Sequence, residues 1–288
     1  MVLPPASSAA QPLGEGIDEL RVADGLDAYR ALVGARVLEE RWDELEKEGA
    51  HWPRRLEAGS AGTVVSAALA IGREDWVFGE GNELALALVR GATLSDFIAH
   101  AFGRGPNPWS VRARRTLGAD LRNGAHVTHG AGVAWAAKIE RRDVAVLVTF
   151  ASDITTTGEF HNGINFAGVY KAPVVFLCRT PERAASGEHA ADVGSAYGIL
   201  GRTCSGADFQ AVAQAVREAR KRAVAGLGPT FLEVSVPDAD GALASLRRSL
   251  EERGLLDAER EERIGSEAAA EIDRAVSEFV VPTRRRPE

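Results

Sequence analysis

The stretch VAVLVTFASDITTTGEFHNGINFAGVYKAPVVFLC, Val144 to Cys178, decides the fold. Its first seven residues, Val144–Phe150, are apolar but for Thr149, as in a strand buried on both faces of a parallel sheet. A polar loop follows, then a helix over Gly158–Tyr170, then a second apolar run over Val174–Cys178. Strand, helix and strand in that order predict a crossover unit with its two strands parallel.

Working outward, helical and strand periods keep alternating. Leu26, Tyr29, Val33, Val37 and Leu45 fall on one helical stripe, predicting a single helix over Leu26–Glu48. Ser60–Ala70 reads as a short helix of small residues, and Gly124–Ala137 as a Gly, Ala and Val helix suited to close packing. Thr93 with Asp96 three residues on predicts a capped helix to Phe102. Asp208 caps a helix to about Ala225, Phe231–Val236 is a third strand, and Leu243–Phe279 forms two helices broken near Gly254 and Asp257. The fold class is α/β: a doubly wound, mostly parallel sheet with a helical C-terminus. Residues 1–16 and 281–288 read as flexible tails around one domain, 17–280.

Composition narrows the partners. Of 288 residues, 45% are hydrophobic and 26% charged, enough for a full core. A net charge of −7 repels nucleic acid and anionic membrane. No apolar run approaches the ~20 residues needed to cross a bilayer. The start has no basic residue followed by an apolar core, and two cysteines make no disulfide framework, so the expected compartment is the cytoplasm.

In such sheets, ligands bind beyond the carboxyl ends of strands. There the sequence GEFHNGINFAGVYKAPVVFLC, with EDWVF (74–78), GAHVTHGAGVAWAAK (124–138), GLGPTFLEV (226–234) and ERGLLDAEREE (252–262), resembles the α subunits of thiamine diphosphate-dependent 2-oxo acid dehydrogenases. The resemblance runs over Leu26–Phe279. It implies the thiamine diphosphate-binding fold, Mg²⁺ and thiamine diphosphate as cofactors, and oxidative decarboxylation of a 2-oxo acid. It further implies an α/β hetero-oligomer with a β-subunit-like chain, within a larger dehydrogenase complex. A homo-oligomer is the alternative. The family's cofactor-site positions fall on Asn82, His126, Val127, Ser152, Asp153, Ile154 and Thr180, and His129 is the candidate catalytic residue.

Set against the family pattern, four features depart. The metal-binding aspartate of the family's GDG falls on Ser152, and the metal-binding asparagine on Pro181. The tyrosine–arginine pair that contacts diphosphate falls on Gly81 and Asn82. The loop expected after Val236 is nearly absent before Leu243. Mg²⁺ takes hard oxygen ligands, typically one or two carboxylates plus phosphates, and neither serine nor proline supplies that charge. Asparagine in place of arginine removes a bidentate clamp. The expectation is a degenerate site in a structural or regulatory subunit. The alternative is an active α subunit in which Asp153 serves as metal ligand.

Other candidates are weaker. His126 and His129, three apart, could share a helical face as a metal pair, but no third ligand stands at a motif spacing. Cys178 ends a buried strand and Cys204 is placed in a loop, with no neighbour to activate either thiol. Gly79-Glu80-Gly81 lacks the third glycine of a dinucleotide loop.

Overall fold

The computed structural model describes residues 22–51, 60–118, 124–182, 190–237 and 241–279. The first helices are α1 (Val22–Glu40), α2 (Trp42–Lys47), α3 (Ser60–Ala70), α4 (Leu84–Val89) and α5 (Leu94–Ala101). They are followed by α6 (Ala125–Ile139), α7 (Gly158–Tyr170), α8 (Ala190–Ala196), α9 (Phe209–Arg222), α10 (Gly241–Glu252) and α11 (Ala258–Phe279). The strands are β1 (Trp76–Gly79), β2 (Ser110–Val111), β3 (Thr116–Gly118), β4 (Val146–Ala151), β5 (Val174–Pro181), β6 (Leu200–Ser205) and β7 (Thr230–Val236). The tails expected at 1–16 and 281–288 lie outside the described residues.

The seven strands form one sheet in the order β2-β3-β1-β4-β5-β7-β6. Every neighbouring pair is parallel except β2 with β3. Side chains alternate across a strand, so both faces of the apolar runs are used. Val146, Val148 and Phe150 pack with Val127, Ala131, Phe160 and Ile164 of α6 and α7. Leu147, Val175 and Leu177 pack on the other face with α3 and α9, and α11 packs outside them on α1 and α5. The doubly wound α/β architecture is therefore as expected, helical C-terminus included.

Local chemistry sets several boundaries. Thr93 and Asp96 form a reciprocal capping box at α5, and Asp208 Oδ1 accepts the amides of Gln210 and Ala211 at 2.9 and 3.1 Å. Gly130 brings α6 against β4: a Cβ there would stand 2.6 Å from Val148. At Gly163 a Cβ would stand 2.8 Å from the Thr128 amide, which fixes how closely α7 approaches α6.

Three expectations change. The first helix breaks at Arg41, giving α1 and α2, although its apolar stripe continues through Leu45. β5 runs three residues past Cys178 because β7 continues to pair with it as far as Pro181 opposite Val236. Proline donates no ladder hydrogen bond, and β4 has already stopped pairing, its last register being Ala151 with Arg179. Cys204 lies in strand β6 rather than a loop, and burial raises its thiol pKa to about 11.

Candidate functional site

Strand order reverses between β1 and β4: one side proceeds to β5, β7 and β6, the other to β3 and β2. In open α/β sheets the crevice at such a switch point is where ligands sit. Glu80, Gly81, Asn82 and Glu83 follow β1 there. Two glycines let the backbone close up: a Cβ at Gly79 would stand 2.3 Å from Glu83 Oε2, and one at Gly118 would stand 2.6 Å from the Trp109 Cβ. The 290 Å³ cavity lined by Lys138, Arg141, Asp143 and Pro173 lies at the opposite, amino end of β4 and β5.

The dominant feature at the switch point is a buried ion cluster. Arg179, at 1% side-chain exposure, reaches from β5 to both glutamates. Its Nη1 donates to Glu83 Oε1 at 3.2 Å and its Nη2 donates to Glu80 Oε2. Thr149 of β4 donates its hydroxyl to Glu83 Oε1 at 2.6 Å. Glu83 is equally buried, whereas Glu80 is 20% exposed. Burial pushes the Glu83 carboxyl pKa up against the opposing pull of Arg179, and neighbouring Glu80 pushes it further. For Arg179, desolvation favours losing the charge, but Glu80 and Glu83 outweigh it and the pKa ends up raised. The guanidinium is a permanent cation here.

His126, in the first turn of α6, is fully buried beside this cluster. Its Nε2 lies 3.1 Å from the Thr149 carbonyl. A carbonyl can only accept, so Nε2 carries the hydrogen and Nδ1 is left as an acceptor. Burial lowers the His126 pKa, with Glu80 and the Thr149 contact offsetting part of the shift, and the ring is held neutral. Nδ1 of His126, Nε of Arg179, Nε1 of Trp109 and Oδ1 of Asn82 are buried without a hydrogen-bond partner among the described residues.

The residues singled out from sequence divide into those that line this crevice and those that do not. Ser152, Asp153 and Ile154 form a 3₁₀ turn after β4. Ser152 is half-buried, Asp153 is exposed, and Ile154 is buried in the core. The carbonyls of Ser152 and Asp153 accept from the hydroxyls of Thr155 and Thr156 at 2.7 and 3.1 Å. Val127 is a core residue and Thr180 is buried on β5, with Pro181 half-buried at its end. His129 is exposed while His126 is buried, so the two histidines do not make a pair. Among the described residues, no group of three or more His, Cys, Asp or Glu is placed to hold a metal ion. The helix α7 opens with Thr157 as its N-cap, accepting from the Phe160 amide at 3.3 Å.

Sequence reasoning missed Glu80, Glu83, Trp109 and Arg179. A trace was present: charged residues stand directly after apolar strands in WVFGEGNE (76–83) and FLCRT (176–180). A buried charge needs a partner, so each side of the cluster announced the other only in sign.

Comparison with known proteins fixes the family. The model of the family described as dehydrogenase E1 component matches residues 29–237. The chain is 30% identical over 298 aligned residues to 2-oxoisovalerate dehydrogenase subunit alpha of Bacillus subtilis, covering 88% of this chain and 90% of that protein. It is 29% identical over 286 residues to pyruvate dehydrogenase E1 component subunit alpha of Staphylococcus aureus, covering 88% of this chain and 77% of that protein. The same values hold for the Staphylococcus epidermidis protein of that name. With the fold, the order of its motifs and these matches in agreement, the chain belongs to the dehydrogenase E1 component family, as a divergent α-subunit-like member of the 2-oxo acid dehydrogenases.

Proposed function

We propose that this chain is an α-subunit-like protein whose own metal–diphosphate site is degenerate, and that it acts as a structural or regulatory subunit. The observation that carries the reading is the engagement of Glu80 and Glu83 by Arg179 at the switch point. Mg²⁺ needs hard oxygen ligands in near-octahedral geometry. The residues present do not fit it. Ser152 offers a hydroxyl and Pro181 no side-chain oxygen, while Glu80 and Glu83 at the switch point are already neutralising a guanidinium. Asp153, the one carboxylate at the family's metal loop, is exposed and belongs to no group of potential ligands among the described residues. At Asn82 the diphosphate clamp is lost too.

Assembly with a β-subunit-like chain is part of the proposal, since the relatives it resembles are named as α subunits. An exposed apolar face supports it. Trp135, Ile139, Phe166, Val169 and Tyr170 lie on α6 and α7, with Val169 68% and Ile139 60% exposed. A face of this kind marks an interaction surface more often than a solvated one. A cytoplasmic location accords with two free cysteines and with the absence, among the described residues, of a helix long and apolar enough to cross a membrane.

Isothermal titration of the full chain with thiamine diphosphate and Mg²⁺ tests the reading. No heat of binding is expected. Micromolar or tighter binding would overturn it.

A further inference from the structure

A site that has only lost its ligands differs physically from one that has been filled. Loss of ligands alone would leave polar walls open to the crevice. Here β5 carries a permanent cation to the carboxyl end of the sheet, and both glutamates after β1 engage it. We infer that Arg179 is a tethered counter-cation that takes over the electrostatic station of a divalent ion and closes the switch-point crevice to metal and diphosphate alike. The inference rests on the degenerate-site reading above and deepens it.

Three features carry the argument. First, a guanidinium stays protonated throughout the ordinary pH range, so no change of conditions withdraws the charge. A divalent ion entering the crevice meets a like charge and must take Glu80 or Glu83 from a partner already in place. Second, a diphosphate entering without metal meets the partly exposed Glu80 carboxylate, which repels it. Third, the cluster is anchored. Arg179 and Glu83 are 96 residues apart in sequence and both fully buried, and Thr149 from the intervening strand β4 holds the same carboxylate oxygen. Withdrawing one member of such a pair leaves an uncompensated buried charge, which is strongly destabilising. The cluster is thus a closed device, and restoring missing ligands around it does not by itself open the crevice.

Two variants of the full chain separate a filled site from a merely depleted one. The first, Ser152→Asp with Pro181→Asn, restores a carboxylate and an amide at the family's ligand positions. The second adds Arg179→Gln and Glu83→Gln, which remove the buried pair together. Replacing both members of a buried pair by hydrophobic residues of similar volume is often neutral or stabilising, so Arg179→Met with Glu83→Leu serves if the glutamines do not fold. Thermal melting confirms folding, and titration with Mn²⁺ alone, followed by the electron paramagnetic resonance signal of the free ion, reads affinity. The first variant is expected to bind Mn²⁺ no better than the natural chain, and the second about tenfold tighter or more, because Glu80 loses its counter-ion and is free to face the divalent ion beside the restored ligands. Equal, tight binding by both variants would show that missing ligands suffice and Arg179 closes nothing. A folded second variant that gains nothing over the first overturns the inference as well. Either result leaves the degenerate-site reading standing, whereas cofactor binding by the natural chain removes that reading directly.

Discussion

Arg220 on α9 grips the fully buried carboxylate of Asp75, its Nη2 donating to Oδ1 at 3.2 Å and its Nε donating to Oδ2. The same carboxylate accepts the amides of Gly72 at 2.6 Å and Ala145 at 2.8 Å. Asp75 therefore ties the start of β1 to the approach to β4 and to α9. Asp75→Ala should cost about 2–5 kcal/mol, since it leaves the amides of Gly72 and Ala145 without their acceptor while Arg220, 23% exposed, can turn to solvent. Arg220→Ala leaves the buried Asp75 carboxylate without its counter-ion and should cost about 3–5 kcal/mol. Urea denaturation measures both, and a mild Asp75→Ala would contradict the role given to this carboxylate.

The neutral state of His126 makes stability depend on pH. Its pKa is depressed in the folded chain, so the unfolded chain binds a proton that the folded chain refuses. This contribution is present above the unfolded pKa of about 6.5 and is lost as pH falls below it. His126→Gln keeps a donor for the Thr149 carbonyl and removes the titration. The natural chain should lose more stability between pH 7.5 and 5.5 than this variant, compared by urea midpoints. Identical losses would count against a neutral, buried ring.

On the other layer, Tyr29 of α1 donates its hydroxyl to Glu261 of α11 at 2.6 Å. Burial first, and Glu261 second, push the phenol pKa well above its ordinary range. A raised pKa contributes stability that is whole below about pH 10 and falls as pH rises past it, because only the unfolded chain then ionises. Tyr29→Phe should cost about 1–2 kcal/mol near neutrality and should flatten the alkaline decline. Thermal melts at pH 7.5 and 10.5 resolve the two effects.

Close approach of α6 and α7 predicts that Gly163→Ala is destabilising despite alanine's better helix propensity. The new Cβ would press on the Thr128 backbone, which cannot swing aside as a side chain would. A loss of about 1–3 kcal/mol is expected from such overpacking. A stabilised variant in differential scanning calorimetry would show that the helices yield.

For the exposed apolar face, Val169→Glu places a charge where the proposal has a partner subunit. Size-exclusion chromatography with light scattering should show a smaller assembly, with the circular dichroism spectrum unchanged. An assembly of unchanged mass would remove this face from the interface.

Much of the fold was legible because its determinants are local. The helix Ser60–Ala70 and the helix Gly158–Tyr170 fall on the residues expected, and the caps at Thr93 and Asp208 act as their side chains dictate. Short or polar strands were not legible. Four residues of β1 and three of β3 are too few to show a period, and LGRTCS of β6 carries none. The site was half legible. Motif positions pointed to the ends of β1, β4 and β5, where Asn82, Ser152 and Thr180 lie, but the Arg179 cluster is assembled across 96 residues by strand order alone. Nothing in a linear pattern specifies that Glu83 and Arg179 meet.

The two rims of the sheet carry a further consequence. On one side the last rung is β2, only two residues long and running against the rest. On the other, β6 turns Arg202, Thr203 and Ser205 outward. Unpaired strand edges can template the addition of foreign chains, and shortness, reversed direction and charge all discourage it. A parallel sheet assembles slowly, from pieces distant in sequence. Blunted rims keep its half-built forms from recruiting one another.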